Sequence, residues 1–595
     1  MSSFVHLHVH SDYSPMEGIS SVQALCEAAR TQGVDTLALT DTNGLYGAIR
    51  FIDVARQAGL KPILGAEVRL GKGRVSARLG RAGETGERRS HRALLLAKTT
   101  EGYANLCRLL SERHCDAAFS LIEAVSRYRH GLIVLSDDTQ ALTAWKKESA
   151  DDLYVELTAG PGMHEALAFS RRAEIPPVAT NHVRFVNRGD FDVHRLLRAI
   201  ALNTTLSRLP EDACCSPSHW LMPLATMQKY YPHVPEALEN TVRIAQACRT
   251  DWDFNRTIFP AFRRLSKREA FATLRDKTYA GAVWRYGTVA QNITDRIEEE
   301  LTVIRKKGFA DYFLVVDEIV RQTLLTCGRG SVAASIVSYC LGITHVDPIK
   351  HHLFFGRFLN PGRRDPPDID IDFPWDERDR IFEWVFKKYG VEQRQAAMVA
   401  NQNSLGLRAA IREVAKVYGM PAVEIGDISA RILRQKDLLW FEDMPTAQDW
   451  ARRLSRELKL PPPWPEILSL AVQAQGHFRH LSLHCGGVVI VPDEIRRYVP
   501  VEPAAKEIAA EPVPVIQWEK DQAEEAGLVK IDLLGNRSLA VIRDALNAIE
   551  RNTGRRLDYA TWDPLDDHAT QDLIRRGDSI GCFYIESPAT RLFDN

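Results

Sequence analysis

The chain of 595 residues is 45% hydrophobic and 26% charged, an ordinary soluble balance with room for about 3–5 domains. Its net charge of −1 means that any grip on nucleic acid has to come from local basic patches. No apolar run approaches a membrane span, the polar start MSSFVHLHVHSDYS is no signal peptide, and ten cysteines without a CxxC pair fit reduced thiols in a cytoplasmic protein, not a disulfide framework or a zinc ribbon.

From the N-terminus, strand and helix alternate over residues 1–200. FVHLHVH predicts a strand, SVQALCEAARTQG a helix ended by Gly33, and VDTLALTD a strand. YGAIRFIDVARQAG predicts a helix ended by Gly59, and LKPILGAEV a strand. This order argues for a parallel sheet or barrel. Residues 71–92, rich in glycine and arginine, interrupt it as a solvated loop, and RALLLAK, GLIVLSD, DLYVELT and PPVATNHVRF resume it. Residues 200–265 are helical and loop-like, and from 266 the helices are long and charged. A glycine turn at 328 and a small-residue helix lead to RDPPDIDIDFP, residues 364–374. Residues 404–460 are again helical with many Arg and Lys, LPPPWP (460–465) is a stiff connector, and GGVVIVP and GLVKIDLLG return to strands.

In RDPPDIDIDFP the acids Asp368, Asp370 and Asp372 alternate with Ile369, Ile371 and Phe373. A strand repeats every two residues, so the acids share one face and the apolar side chains the other. Like charges so close need something positive to hold them. Asp532, in LVKIDLL, is a lone carboxylate in an apolar strand, with Lys530 two residues earlier on the same face. Were the two strands neighbours, Asp370, Asp372 and Asp532 would cluster beside a lysine, the hard-oxygen environment magnesium prefers. Two ions there suit two-metal phosphoryl transfer. The plainer alternative is a surface strand whose acids face water, with Asp532 paired to Lys530. Upstream, GRGS offers Gly328 and Gly330 for a tight turn, Arg329 for charge, and Ser331 at a predicted helix start, where free amides and a hydroxyl form an anion site. At the N-terminus His6, His8 and His10 alternate along the first strand, metal-ligand material where carboxylates are near.

GFADYFLVVDEIV, GRGSVAAS, RFLNP, PDIDIDF, RHLSLHCGGVVI, GLVKIDLLG and GCFYIES occur in that order. Together they resemble the bacterial C-family DNA polymerases, the alpha subunit of DNA polymerase III and its error-prone relatives, along essentially the whole chain. The resemblance implies an α/β multidomain protein. A PHP domain, a distorted β/α barrel, would occupy 1–265. A polymerase-beta-like nucleotidyltransferase palm would occupy 266–403 and 487–560, with an inserted helical thumb over 404–486 and the start of the fingers over 561–595. The implied activity is DNA-directed DNA synthesis in replication or translesion repair. Asp370, Asp372 and Asp532 would be the catalytic ligands of two Mg2+ ions, with Asp368 outside the ligand set. Gly328, Arg329, Gly330, Ser331, Arg357, Arg363 and Lys530 would meet nucleotide phosphates. Arg408, Arg412, Arg479, His480 and His484 would meet DNA, with Lys416, Arg431, Arg434, Lys436, Arg452, Arg453 and Arg456 adding charge to a thumb that grips phosphates. The implied partners are primer–template DNA, dNTPs and, through a C-terminal region beyond this sequence, the sliding clamp and other replisome or repair proteins, in the cytoplasm at the nucleoid.

The PHP positions that match are His8, His10, Glu17 and Glu67. Elsewhere the pattern departs: Thr42 stands for a histidine in LTDTNG, His182 for an acid and Arg184 for a histidine in TNHVRF, and no histidine follows YVEL. An arginine in a metal site is a fixed cation where an ion should be. The zinc or manganese cluster of that domain, and with it a metal-dependent phosphoesterase or 3′–5′ exonuclease activity, is therefore expected to be lost or cut to one weak site. A third reading, a non-catalytic DNA-binding fragment, follows from a sequence that stops where the fingers begin.

Overall fold

In the computed structural model the described residues are 4–70, 91–249, 254, 256–359, 369–434, 446–508, 511–560, 565 and 567–593. Arg363, Asp368, Lys436 and residues 71–90 of the glycine–arginine stretch lie outside them.

Two sheets organise the chain. The first contains β1 (Thr36–Leu39), β2 (Lys61–Arg69), β3 (Arg92–Ala97), β4 (Leu132–Ser136), β5 (Leu153–Thr158) and β6 (Pro177–Thr180), in that spatial order. β1 and β2 are parallel, as are β4, β5 and β6, whereas β3 is antiparallel to both neighbours. Residues 4–10, expected as a strand, make only one bridge, Val9 to Val183. Their backbone nevertheless serves both edges of the sheet. The N–H groups of Ala38 and Thr40 donate to the carbonyls of His6 and Val9, while Val183 donates to His8 and His10 donates to Val183. The sheet thus curls toward closure, as a barrel requires. The helix Val22–Thr31 starts at Ser21, whose side chain accepts the Ala24 N–H, and stops short of Gly33, where φ is +73°. Such helices bury Leu25, Phe51 and Leu106 against Leu64 and Leu95 of the sheet.

The second sheet contains β7 (Cys327–Arg329), β8 (Ile369–Pro374), β9 (Ala396–Ser404), β10 (Phe478–Ile490), β11 (Val501–Ile508), β12 (Glu511–Glu519) and β13 (Lys530–Asn536), in the spatial order β11-β12-β9-β10-β13-β8-β7. The alternation of the acidic segment decides how β8 sits. Ile369, Ile371 and Phe373 are buried, with Ile531 and Leu533 of β13, under the helices Lys267–Tyr286, Gln291–Lys307 and Ala310–Val320. The opposite face is left to the aspartates.

β9 and β10 are neighbours, yet the chain leaves the sheet between them to form the helices Leu407–Val417, Ala422–Arg434, Ala447–Glu457 and Trp464–Ala474. Residues 478–486, expected with this helical insertion, belong instead to β10, which pairs Phe478 with Ser404 and Leu483 with Ala400. The insertion has its own core of Ile411, Val414, Trp450, Trp464 and Ile467. Leu196, Leu197 and Ile200 from the helix Phe191–Ala201 complete that core.

Candidate active site

Four strands of the second sheet set one row of residues side by side. Arg329 of β7 pairs with Asp370 of β8, Asp370 with Asp532 of β13, and Asp532 with Gly487 of β10. Residues in register on adjacent strands point to the same face, so Asp370 and Asp532 share it. Asp372, two residues along β8, joins them about 6.6–6.8 Å further up the strand. The sequence-predicted cluster is therefore assembled. Arg329 Nε lies 3.9 Å from Asp370 Oδ2 and 3.8 Å from Asp372 Oδ1. Lys530 Nζ donates to Asp532 Oδ2 at 2.6 Å, and Asn536 Nδ2 donates to Asp372 Oδ2 at 2.8 Å. Neither cation lies between the acids in a way that consumes every oxygen: Asp532 Oδ1 is buried and, among the described residues, accepts no hydrogen bond. A set of carboxylate oxygens with one held open fits a hard divalent cation.

The GRGS turn differs from its expected form. Arg329 ends β7, and residues 330–334 form a 3-10 turn with Gly330 at φ +70°. The α-helix begins only at Ile336. Its first amides are not open to an outside anion, because the buried Glu300 carboxylate accepts from Ile336 N at 3.0 Å, Val337 N at 3.2 Å and Ser335 Oγ at 2.8 Å. Gly330 and Ser331 reach the surface beside the acids, but the helix-start anion site is taken up internally. Gly328 is required by space: a Cβ there would lie 2.5 Å from the Ile343 carbonyl oxygen.

At the N-terminal domain a second cluster forms within the barrel. Glu67 is met by Arg69 Nη2 at 2.5 Å, Arg184 Nη2 at 3.2 Å and Arg92 Nη1 at 3.3 Å. Arg184 also contacts Glu17 at 2.7 Å and donates to His182 Nε2 at 2.7 Å. Glu156 accepts from His8 Nδ1 at 2.6 Å and from Arg92 at 3.0 Å. Thr42 Oγ1, at the position expected to hold a histidine, sits 3.3 Å from His10 Nδ1. Burial alone would push the Glu67 carboxyl up, but Arg69, with His182 and Arg184, holds it well below the usual range. Glu156 is likewise raised by burial and brought down by His8 and Arg92, to about 2. Burial lowers His10 and His182 well below the ordinary imidazole value, with Arg184 adding to the effect on both. Three guanidinium groups therefore bring fixed positive charge into the centre.

His8, His10, Glu67 and His182 offer ligand atoms that all lie within 4.8 Å of one another, a candidate for a single ion. A cluster of several ions does not fit. Glu67 already faces three guanidinium groups, and two of these meet the ring nitrogens of His182, Arg184 at Nε2 (2.7 Å) and Arg92 at Nδ1 (3.3 Å). Glu156, Arg69 and Arg92 escaped the sequence reading. Arg69 and Arg92 face one another across β2 and β3, a pairing that no linear spacing reveals. Arg69, however, is two residues from Glu67 on one strand, and that signal was available.

Two family models match. The model for the bacterial DNA polymerase III alpha NTPase domain covers residues 272–535, and the PHP domain model covers 6–157. The DNA polymerase III subunit alpha of Bacillus subtilis (strain 168) is 31% identical over 617 residues, covering 99% of this chain and 53% of that protein. The chain belongs to the bacterial DNA polymerase III alpha family. Error-prone DNA polymerases from Symbiobacterium thermophilum and Pseudomonas aeruginosa are 32% and 33% identical, each over 99% of this chain and 56% of their own length. The chain thus spans about half the length of the curated relatives it matches.

Within this polymerase III alpha chain the remaining site residues separate. Arg408 is exposed and Arg412 half-buried on the helix Leu407–Val417. Arg479 and His480 are exposed at the start of β10, with Arg479 3.5 Å from Glu413 of that same helix. Arg357 is exposed in the 3-10 turn Phe355–Arg357, and no ion pair among the described residues ties it to the three acids. His484, one of the residues expected to meet DNA, lies at the carboxylate site, its Nδ1 3.9 Å from Asp532 Oδ1. Burial lowers its imidazole below the ordinary value, and Lys530 adds to the shift against the pull of Asp532. No helix among the described residues is long and apolar enough to cross a membrane.

Proposed function

We propose that the chain is the PHP, palm and thumb portion of a template-directed DNA polymerase, which joins dNMP units to a primer 3′-hydroxyl in replication or translesion repair. The observation that carries this reading is the register of Asp370 with Asp532 on adjacent parallel strands, with Asp372 on the same face. Asp370, Asp372 and Asp532 would hold two Mg2+ ions, which when bound supply Lewis-acid stabilisation of the charge that develops on the attacking and leaving oxygens. Lys530 holds the Asp532 carboxylate in one orientation. Arg329, close to both aspartates of β8 and half-exposed, is placed to attract the triphosphate of an incoming dNTP, with Gly330 and Ser331 at the same edge. Arg408, Arg412, Arg479 and His480 supply phosphate contacts to the primer–template without reading its sequence. Arg357 and Arg363 are further candidates for phosphate neutralisation. Such a chain works in the cytoplasm at the nucleoid. The clamp and other replisome or repair proteins would engage the region that the longer relatives carry beyond this match.

The PHP centre, in this reading, is structural. The three guanidinium groups around Glu67 do the charge balancing that zinc or manganese would otherwise do, so neither phosphoesterase nor exonuclease activity is assigned to it.

Primer extension with Mg2+ and four dNTPs tests the polymerase, on the chain alone and joined to the downstream region of a relative. Asp370→Asn and Asp532→Asn are expected to lower extension by at least about 10³-fold, because several kcal/mol of charge stabilisation are lost. Their primer–template affinity should stay near that of the parent. Variants that extend as well as the parent would remove the assignment.

A further inference from the structure

Strand β10 does not run straight past Asp532. Leu483 pairs with Ala400 and Val488 with Met398, so β10 takes five steps (483 to 488) where β9 takes two (400 to 398). The surplus is a bulge containing His484, Cys485, Gly486 and Gly487. Bulges bend a strand and re-aim its side chains, and they recur beside active sites. This one is folded onto its own histidine: His484 Nδ1 accepts the N–H of Gly487 at 2.8 Å and that of Gly486 at 3.2 Å. Two donors converging on Nδ1 require the lone pair there, which leaves the ring proton on Nε2.

The bulge backbone lies directly on β13. A Cβ on Gly486 would come within 2.6 Å of Leu534 Cδ2 and 2.8 Å of the Leu533 carbonyl oxygen. On Gly487 it would meet His484 Nδ1 at 2.9 Å, Lys530 Cδ at 3.1 Å and Asp532 Oδ1 at 3.3 Å. The same imidazole nitrogen that gathers the glycine amides also lies 3.9 Å from Asp532 Oδ1, the carboxylate oxygen that accepts no hydrogen bond among the described residues.

We propose that His484 is a positioning residue of the polymerase site. By taking the N–H groups of Gly486 and Gly487 through Nδ1, it holds the bulge against Lys530 and Asp532, so that Lys530 engages one carboxylate oxygen and the other stays open toward a metal ion. His484 acts through backbone and neighbour, not by touching DNA. The inference rests on the metal role proposed above for Asp532.

Three variants separate the possibilities. His484→Asn puts its Oδ1 where Nδ1 stood and can still accept from the two glycines. His484→Gln places its amide at the Nε2 position, and His484→Ala removes both. Binding of Mn2+ alone, followed by electron paramagnetic resonance, is counted as the component that Asp532→Asn abolishes, which leaves any ion in the PHP domain out of the reading. DNA affinity is measured in parallel. The expected result is near-parental Mn2+ affinity for H484N and about tenfold weaker binding for H484Q and H484A, the usual size of a loss around a metal ligand, with DNA affinity unchanged. Equal weakening of H484N and H484Q, or parental binding in all three, overturns the role of Nδ1. Loss of DNA affinity with Mn2+ binding intact assigns His484 to DNA and overturns it as well. A parent chain that shows no Asp532-dependent Mn2+ component removes the polymerase reading itself, and this inference with it.

Discussion

Arg184 shows how a single residue can change what a site is for. Its guanidinium is buried, pairs with Glu17 and Glu67, and donates to His182. Removing one partner of a buried ion pair leaves a charge uncompensated and costs about 3–5 kcal/mol. Arg184→Ala is thus expected to lower the unfolding free energy of the N-terminal domain by an amount of that size, read as a lower urea midpoint, while chelators leave the parent midpoint where it was. A parent chain destabilised by chelator would restore a bound metal to the centre. The histidines give a second handle. Burial lowers His6 and His194 to about 4 each, against an ordinary value near 6.5. Between those limits the unfolded chain takes up a proton that the native chain refuses, so stability is full above about pH 6.5 and falls toward pH 4. Each group accounts for about 3 kcal/mol at about 1.4 kcal/mol per pH unit. Asp12, raised to about 7 chiefly by burial with Asp41 adding to it, slopes the opposite way. The decisive comparison is therefore with His6→Gln, which keeps a donor for the Met222 carbonyl that His6 Nε2 meets at 2.8 Å but cannot titrate. Its urea midpoint should fall less than the parent's between pH 7 and pH 4.5. At this scale the sequence was most legible where a short-range pattern carried the chemistry. The alternation of Asp370 and Asp372 with buried apolar residues, and the isolated Asp532 in an apolar strand, were enough to foresee the carboxylate face. Of the arginine web only Arg184 was foreseen, because Arg69 and Arg92 come from other stretches and meet it only through the curl of the barrel.

At the scale of elements, the errors have a common physical cause: backbone groups found partners that a local reading does not include. The GRGS segment looked like a helix start with free amides, but Glu300, more than thirty residues upstream, supplies a carboxylate to the helix that follows. Residues 4–10 looked like a strand, yet their hydrogen bonds are divided between two edges. Residues 478–486 were assigned to the helical insertion by the resemblance alone, whereas pairing with β9 makes them strand. The helices themselves were legible from periodicity and charge. Their exposed arginines lead to a measurable expectation. DNA affinity should fall steeply with salt, with a slope of about 0.9 per phosphate neutralised. Arg408→Ala, exposed at the start of the first inserted helix, should flatten that slope by about one, and binding should weaken uniformly across DNA sequences. A slope unchanged in Arg408→Ala would take this helix out of the DNA contact.

At the scale of the molecule, the two sheets and the helical insertion are held together by contacts that none could make alone. Trp518 of β12, fully buried, donates from Nε1 to the Leu45 carbonyl at 3.0 Å, and Gln402 of β9 donates to the Tyr46 carbonyl at 2.9 Å. Val501 N–H, at the start of β11, donates to Ser111 Oγ at 3.0 Å. Trp518 Nε1 and the Val501 N–H thus reach their acceptors across the boundary between the PHP barrel and the second sheet, so separating the two would cost about 1–3 kcal/mol for each of these buried donors left unpaired, whereas Gln402 also donates to Gln517 and Gln522 within its own sheet. The insertion depends on the barrel in a different way. Its core is closed by Leu196, Leu197 and Ile200, which the helix Phe191–Ala201 of the N-terminal half presents to Trp464 and Ile467. Leu197 is fully buried there. Leu197→Ala would leave a cavity at this seam and is expected to cost about 2–5 kcal/mol. Because the seam belongs to the insertion as much as to the barrel, proteolysis under native conditions should first cut residues 405–477 in the variant. Primer–template affinity should fall while Asp532-dependent Mn2+ binding stays at the parent level. If the variant instead loses metal binding and DNA binding together, the PHP barrel supports the carboxylate sheet directly, and the seam at Leu197 is not a separate support for the DNA-gripping helices.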